Sequence, residues 1–143
     1  MKLKDFDFRI WDYKRKTFIN YQCQMSFIFN NERNKENYLK VMDCFDNKNP
    51  KNNEFYGLKS YNSNDIEIEL CTRFYDKNGK KIFEGDILEF FATGEIIAGH
   101  VVYDKEEARF ELITSNKDVL DFTFYSDIEI IGNIHENPEL LKC

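Results

Sequence analysis

The chain is short of the residue patterns that announce chemistry. Its four cysteines, Cys23, Cys44, Cys71 and Cys143, are scattered with no CxxC pair, and its two histidines are His100 and His135. None of these falls at the close spacing of zinc ligands, so no metal site is expected, and the thiols read as reduced. The six glycines, Gly57, Gly79, Gly85, Gly94, Gly99 and Gly132, are isolated and none opens a convincing helix. That argues against a phosphate-binding loop and against nucleotide hydrolysis. Apolar runs such as Ile96-Ile97-Ala98 fall far short of the roughly 20 residues of a membrane helix, and no basic segment precedes an apolar run at the N-terminus. The expectation is a cytoplasmic protein with no membrane span and no cofactor.

Aromatic side chains are plentiful: 14 Phe and 8 Tyr in 143 residues, with 42% of residues apolar. A chain of this length buries roughly 68–70% of its unfolded surface, enough for one core without staples. One domain over 1–143 is expected, with residues 1–60 and 61–143 as its two parts. Charge divides them. Residues 1–60 hold 12 Lys/Arg against 8 Asp/Glu, giving +4, and residues 61–143 hold 8 against 18, giving −10. The acidic part repels a phosphate backbone, whereas the basic part could approach one or pair with an acidic neighbour.

Periodicity supplies the elements. In FDFRIW, Phe6, Phe8 and Ile10 recur at period two, TFINYQC repeats the habit, and the polar Asp12-Tyr-Lys-Arg-Lys16 between them predicts a hairpin. MSFIFN, residues 25–30, continues the second strand or makes a third. From Asn31 to Asp46, Leu39, Met42 and Phe45 recur every three residues behind a possible Asn31 cap, which predicts one helix. The Asn-rich stretch 47–53 predicts an exposed loop. After residue 61, DIEIEL (with Ile66, Ile68 and Leu70 alternating), DILEFF, IIAGHVVY, ARFELIT, VLDFTF and DIEIIGNI predict strands, with ATGE, DKEE and SNKD as turns. Strands about 8–12 residues apart suit a small sandwich or barrel. Asn137-Pro138 could cap and open a single helical turn.

DKNGKKIFEGD, residues 76–86, resembles a cation loop at first sight. A calcium loop of the EF-hand kind needs oxygen ligands at its first, third and fifth positions, Gly at the sixth and Glu at the twelfth. Counted from Asp76, the fifth, sixth and twelfth are Lys80, Lys81 and Ile87. Turn chemistry accounts for the segment instead: Asp76 opens a turn, Gly79 supplies positive φ, and Glu84-Gly85-Asp86 makes a second tight turn.

The segment IELCTRFYDKNGKKIFEGDILEF is similar to the signature of the YopX family, small proteins of phages, prophages and related mobile elements. FRIWDYKRKTF near the N-terminus and IEIIGNIHENPELL near the C-terminus are similar to it too, in the same order. One departure is Arg73-Phe74-Tyr75, where the family usually carries a Thr-Gly-Leu-like stretch. The resemblance implies a mainly β protein with an SH3-like or partly open barrel in the C-terminal portion and self-association as a homo-oligomer. It implies no known reaction.

With no catalytic constellation in view, the chain is read as a non-enzymatic interaction protein that binds a host or phage protein in the bacterial host cell. Its sharpest form is an anti-defence inhibitor presenting Glu106, Glu107 and Glu111 to the basic channel of a host nuclease. The alternative is a nucleic-acid-binding module using Trp11, Lys14, Arg15 and Lys16 of the N-terminal hairpin, where cations and aromatic faces mix. Glu84 and Asp86 could approach as an acid–base pair, but turn formation explains them more simply.

Overall fold

Apolar alternation between polar turns builds strands along most of the described residues. The computed structural model describes residues 2–19, 24–28, 38–42 and 58–142. They divide into two compact units, Met1–Arg9 with Glu69–Cys143, and Ile10–Ile68. Two strands, β1 (Phe8–Asp12) and β6 (Ile66–Tyr75), run through the division, and each stretch is described with its own unit.

In the unit made mainly by residues 69–143, β6 pairs with β7 (Lys81–Phe83), with a register shift between Cys71 and Tyr75. The strands β8 (Asp86–Ala92), β9 (Glu95–Asp104), β10 (Arg109–Thr114), β11 (Val119–Leu120) and β12 (Glu129–Asn133) form an antiparallel sheet in the order β11-β10-β9-β8-β12. Its core is Leu88 and Phe90 from β8, Val101 from β9, Leu112 from β10, Ile82 from β7, and Phe122 and Ile128. Leu88 and Phe90 sit two apart on one face, so the pleat directs both inward. Ile87 on the opposite face is also fully enclosed, whereas Phe91, two pairs from the hairpin end, is 69% exposed.

The turns follow local chemistry. Ala92 pairs with Glu95, and the two residues between, Thr93 and Gly94, both have positive φ (52° and 88°), the requirement of a type I′ hairpin. Asp104 pairs with Arg109, and its carboxylate accepts the N–H groups of Glu106 (2.8 Å) and Glu107 (3.3 Å) inside the turn. Pro138–Leu141 is a short 3-10 turn with Asn137 at its N-cap position, but the Asn137 side chain makes no cap bond and accepts from the Asn133 N–H at 3.4 Å instead.

In the unit Ile10–Ile68, β1 pairs with β2 (Thr17–Phe18) as a hairpin, with Trp11 opposite Phe18. The strands β3 (Gln24–Ile28), β4 (Tyr38–Met42) and β5 (Leu58–Asn62) form a separate antiparallel sheet with β4 in the centre.

One fold expectation, the helix, is corrected. Among the described residues no helix reaches seven residues; there are only short 3-10 turns. The helix expected over residues 31–46 meets strand β4 at Tyr38–Met42, hydrogen-bonded on both sides, and its other residues, like the loop 47–53, lie outside the described residues. Leu39 and Val41 also stand two apart, the spacing of one strand face, and two partner strands outweigh a weak helical preference. Of the two barrel forms expected, SH3-like or partly open, the sheet takes the open one: it is a half-barrel whose outer strands, β11 and β12, stand at opposite ends of the strand order.

Candidate functional site

A buried constellation of titratable groups is internal to the unit of residues 1–9 and 69–143. Arg9 at the end of β1 donates through Nε to Glu69 Oε2 (2.5 Å) and through Nη2 to Asp86 Oδ1 (2.7 Å) and the Glu84 carbonyl (3.3 Å). Its guanidinium lies over the Phe83 ring, 4.9 Å from the centroid. The other Glu69 oxygen, Oε1, is 2.9 Å from His135 Nε2. The other Asp86 oxygen accepts the Phe83 N–H at 2.8 Å. Glu69 is 1% exposed and Asp86 2%, so both carboxylates are desolvated, and the Arg9 guanidinium paired with both offsets that cost.

Gly85 makes this packing possible. Its φ is +81°, and a Cβ there would stand 2.3 Å from Glu69 Oε1. Its N–H donates to the Val101 carbonyl (2.8 Å) and its carbonyl accepts from the Ile134 N–H (2.9 Å), tying the turn to β9 and to the segment after β12. Sequence reasoning identified Gly85 as a turn residue but missed the cluster around it. Period two in DIEIEL selects Ile66, Ile68 and Leu70, yet the enclosed residue is Glu69, while Ile68 is 40% exposed. The available signal was the coincidence of Arg9, Glu69 and Asp86 in strand-forming segments; nothing local ranks it above solvated charge.

The turn at Asp76 is organised around its own carboxylate. Oδ1 accepts N–H groups from Asn78 and Lys80, both at 2.9 Å, Oδ2 accepts from Ile130 at 3.4 Å, and the Asp76 carbonyl accepts from Gly79 at 2.9 Å. Burial pushes the Asp76 carboxyl up, but the N–H bonds from Lys80, Ile130 and Asn78 together outweigh it and hold the group below its ordinary value. Through Ile130, Asp76 also occupies the outer edge of β12, which would otherwise present an unpaired N–H.

The YopX family profile, described as "YopX protein", matches residues 7–142. The chain belongs to the YopX family. Among solved structures, protein EF1440 from Enterococcus faecalis is similar to it with 24% identity and a TM-score of 0.58, covering 96% of this chain and 98% of that one. Protein yopX from Bacillus subtilis is similar with 19% identity and a TM-score of 0.58, covering 95% of each chain. At these identities the likeness speaks for the fold. Comparison with curated proteins gives no significant match.

The acidic residues singled out in this YopX-family chain lie on one hairpin. Glu106 and Glu107 are exposed in the turn between β9 and β10. Glu111, within β10, is 7% exposed, and its Oε1 accepts from Arg109 Nε (2.8 Å) and lies 2.7 Å from Nη2. The hydrogen bond to Glu111 raises the Arg109 pKa, and the charges of Glu111, Glu107 and Asp121 add to it. One guanidinium is thus within Coulombic reach of three carboxylates.

The basic residues lie in the other unit. Trp11 is 3% exposed, with its ring edge-on to Phe18 at 4.9 Å between centroids, so it is packed inside the hairpin. Lys14, Arg15 and Lys16 share the exposed tip. Lys14 Nζ is 2.7 Å from Asp65 Oδ2, and Arg15 donates to the Tyr61 hydroxyl at 3.3 Å. Among the described residues no group of three or more His, Cys, Asp or Glu is arranged to hold a metal ion, and no helix is long and apolar enough to cross a membrane. Burial pushes the His100 imidazole, on β9, below its ordinary pKa.

Proposed function

We propose that this YopX-family chain acts by binding another protein and carries out no catalysis of its own. The observation that carries the proposal is the acidic hairpin: Glu106 and Glu107 exposed at its tip, and Glu107, Glu111 and Asp121 gathered around the single guanidinium of Arg109. A surface of that sign suits a basic partner, and long-range attraction of this kind speeds encounter and suppresses wrong partners. The sharpest form is an anti-defence inhibitor of a phage or prophage, offering the hairpin to the nucleic-acid channel of a host nuclease in the bacterial cytoplasm. The buried cluster of Arg9, Glu69, Asp86 and His135 supports the non-catalytic side, because Arg9 and backbone groups already occupy most of its carboxylate oxygens. Self-association belongs to the same proposal and draws support from the exposed cross-strand pair Phe91 and Ile96, 69% and 67% exposed.

The test is inhibition of a panel of host nucleases by the wild-type chain and by the Glu106→Lys/Glu107→Lys variant. Inhibition that weakens at least tenfold in the variant and falls with added salt is expected. Undiminished inhibition by the variant rejects the acidic surface. Static light scattering showing a strict monomer at every concentration rejects self-association.

A second function rests on the tip of the first hairpin, where Lys14 is 72% and Arg15 56% exposed by side chain. It predicts single-stranded nucleic-acid binding that is lost on replacing Lys14, Arg15 and Lys16 by Gln and that falls steeply with salt.

A further inference from the structure

Two hollows in the unit of residues 1–9 and 69–143 adjoin along a common wall. The larger, about 420 Å³, is lined by Lys4, Arg73, Tyr75 and Lys81. The smaller, about 230 Å³, is lined by Leu70, Thr72, Tyr103 and Phe110. Asp5, Phe6, Asp7, Cys71 and Arg73 belong to both. One hollow is therefore dominated by charge and the other by aromatic and aliphatic side chains, and Arg73 stands at their junction. The larger volume falls within the ~300–1,000 Å³ of small-molecule sites, which combine an apolar body with a few fixed polar groups.

Arg73 is placed there at a conformational cost. Its φ is +69°, a region that side-chain-bearing residues rarely adopt, within the register shift of β6 between Cys71 and Tyr75. Thr72 holds the irregularity: its hydroxyl donates to the Ile82 carbonyl at 2.8 Å and accepts the Phe74 N–H at 3.1 Å. Such bulges re-aim a side chain, and backbone strain kept in place by surrounding bonds is found at binding sites. The charges are unequally used. Lys81 is tied to Asp7 at 2.6 Å, whereas Arg73 and Lys4 have no ion-pair partner among the described residues. Three cations, Lys4, Arg73 and Lys81, against two carboxylates, Asp5 and Asp7, leave the cleft one positive charge in excess.

We propose that this double cleft binds a small molecule in which a single anionic group is attached to an aromatic ring, with the anion on Arg73 and Lys4 and the ring against Phe6, Tyr103 and Phe110. A guanidinium provides paired donors for a carboxylate, sulfonate or phosphate oxygen, and the neighbouring aromatic side chains supply the apolar contact. The site is separate from the acidic tip of the β9–β10 hairpin and stands whether or not that tip binds a nuclease.

The probe is 1-anilinonaphthalene-8-sulfonate, one sulfonate on a fused ring, titrated by fluorescence and by amide chemical shifts. Saturable one-to-one binding is expected, with shifts centred on Phe6, Cys71, Arg73, Tyr103 and Phe110. Arg73→Gly removes the guanidinium while supplying the residue best suited to positive φ, so the fold is retained and affinity drops tenfold or more. Arg73→Lys keeps the charge but loses the paired donors, so its affinity falls between those of the wild type and Arg73→Gly, and Lys4→Gln, at an exposed position, lowers affinity severalfold. N-phenyl-1-naphthylamine, the same rings without the sulfonate, binds at least tenfold more weakly. Shifts centred elsewhere, equal binding of the two probes, unchanged affinity in Arg73→Gly, or unfolding of that variant would each overturn the assignment.

Discussion

At the scale of the residue, position decides what a chemical group does. Gly79 and Gly85 both have positive φ, at 78° and 81°, but nothing lies within 4 Å of a Cβ built on Gly79, whereas one on Gly85 meets the buried Glu69 carboxylate. Gly79→Ala is expected to cost about 1 kcal/mol, the conformational penalty alone, and Gly85→Ala roughly 2–4 kcal/mol because steric conflict is added; urea unfolding of the two variants measures the difference. Asp76 and His100 give stability a pH dependence of one sign. Both have folded pKa values below their ordinary values of 3.8 and 6.5, so the unfolded chain takes up protons first on acidification. Their contributions are complete above those ordinary values and are lost as the pH falls through the folded ones. Unfolding free energy is expected to decline first below about pH 6.5 and again below about pH 4. His100→Gln should flatten the first decline, and Asp76→Asn should make the second shallower; chemical denaturation from pH 3 to 8 checks both. The turn at Asp76 was legible in the sequence because its bonds span no more than four residues, apart from the one to Ile130.

At the scale of the element, pairing outweighs local preference. Strand β4 is the clearest instance: the spacing of Leu39 and Met42 suggests a helix, yet Tyr38–Met42 is bonded to β3 on one side and β5 on the other, with Leu39 1% exposed. Lys40→Pro, in the middle of that strand, removes a ladder donor and is expected to cost about 3 kcal/mol or more. Were the segment a helix, far-ultraviolet circular dichroism of the wild-type chain would carry a helical minimum at 222 nm; a strand spectrum is expected. Most other strands were legible because alternation and turn residues agree in them, as at Thr93-Gly94 between β8 and β9. The inward side of β6 was not, since its enclosed residues, Glu69 and Thr72, are polar.

At the scale of the whole molecule, charge acts both within the fold and beyond it. Removing Arg9 strands Glu69 and Asp86, so Arg9→Ala is expected to destabilise the chain by about 3–5 kcal/mol, measurable as a lower urea midpoint. The acidic hairpin has no comparable duty, and Glu106→Lys/Glu107→Lys should leave stability within about 0.5 kcal/mol while altering the salt dependence of partner binding. By itself the sequence determined the family, the β character of residues 61–143, the turns and the charge asymmetry. Each of these depends on residues near one another in the chain, or on sums over it. Only the tertiary structure decided that β4 is a strand, that the sheet stays open, that Trp11 is enclosed, and that Arg9 meets Glu69 and Asp86 across separations of 60 and 77 residues. Such meetings depend on which strands pair and in which register, and one residue of slip turns every side chain to the opposite face.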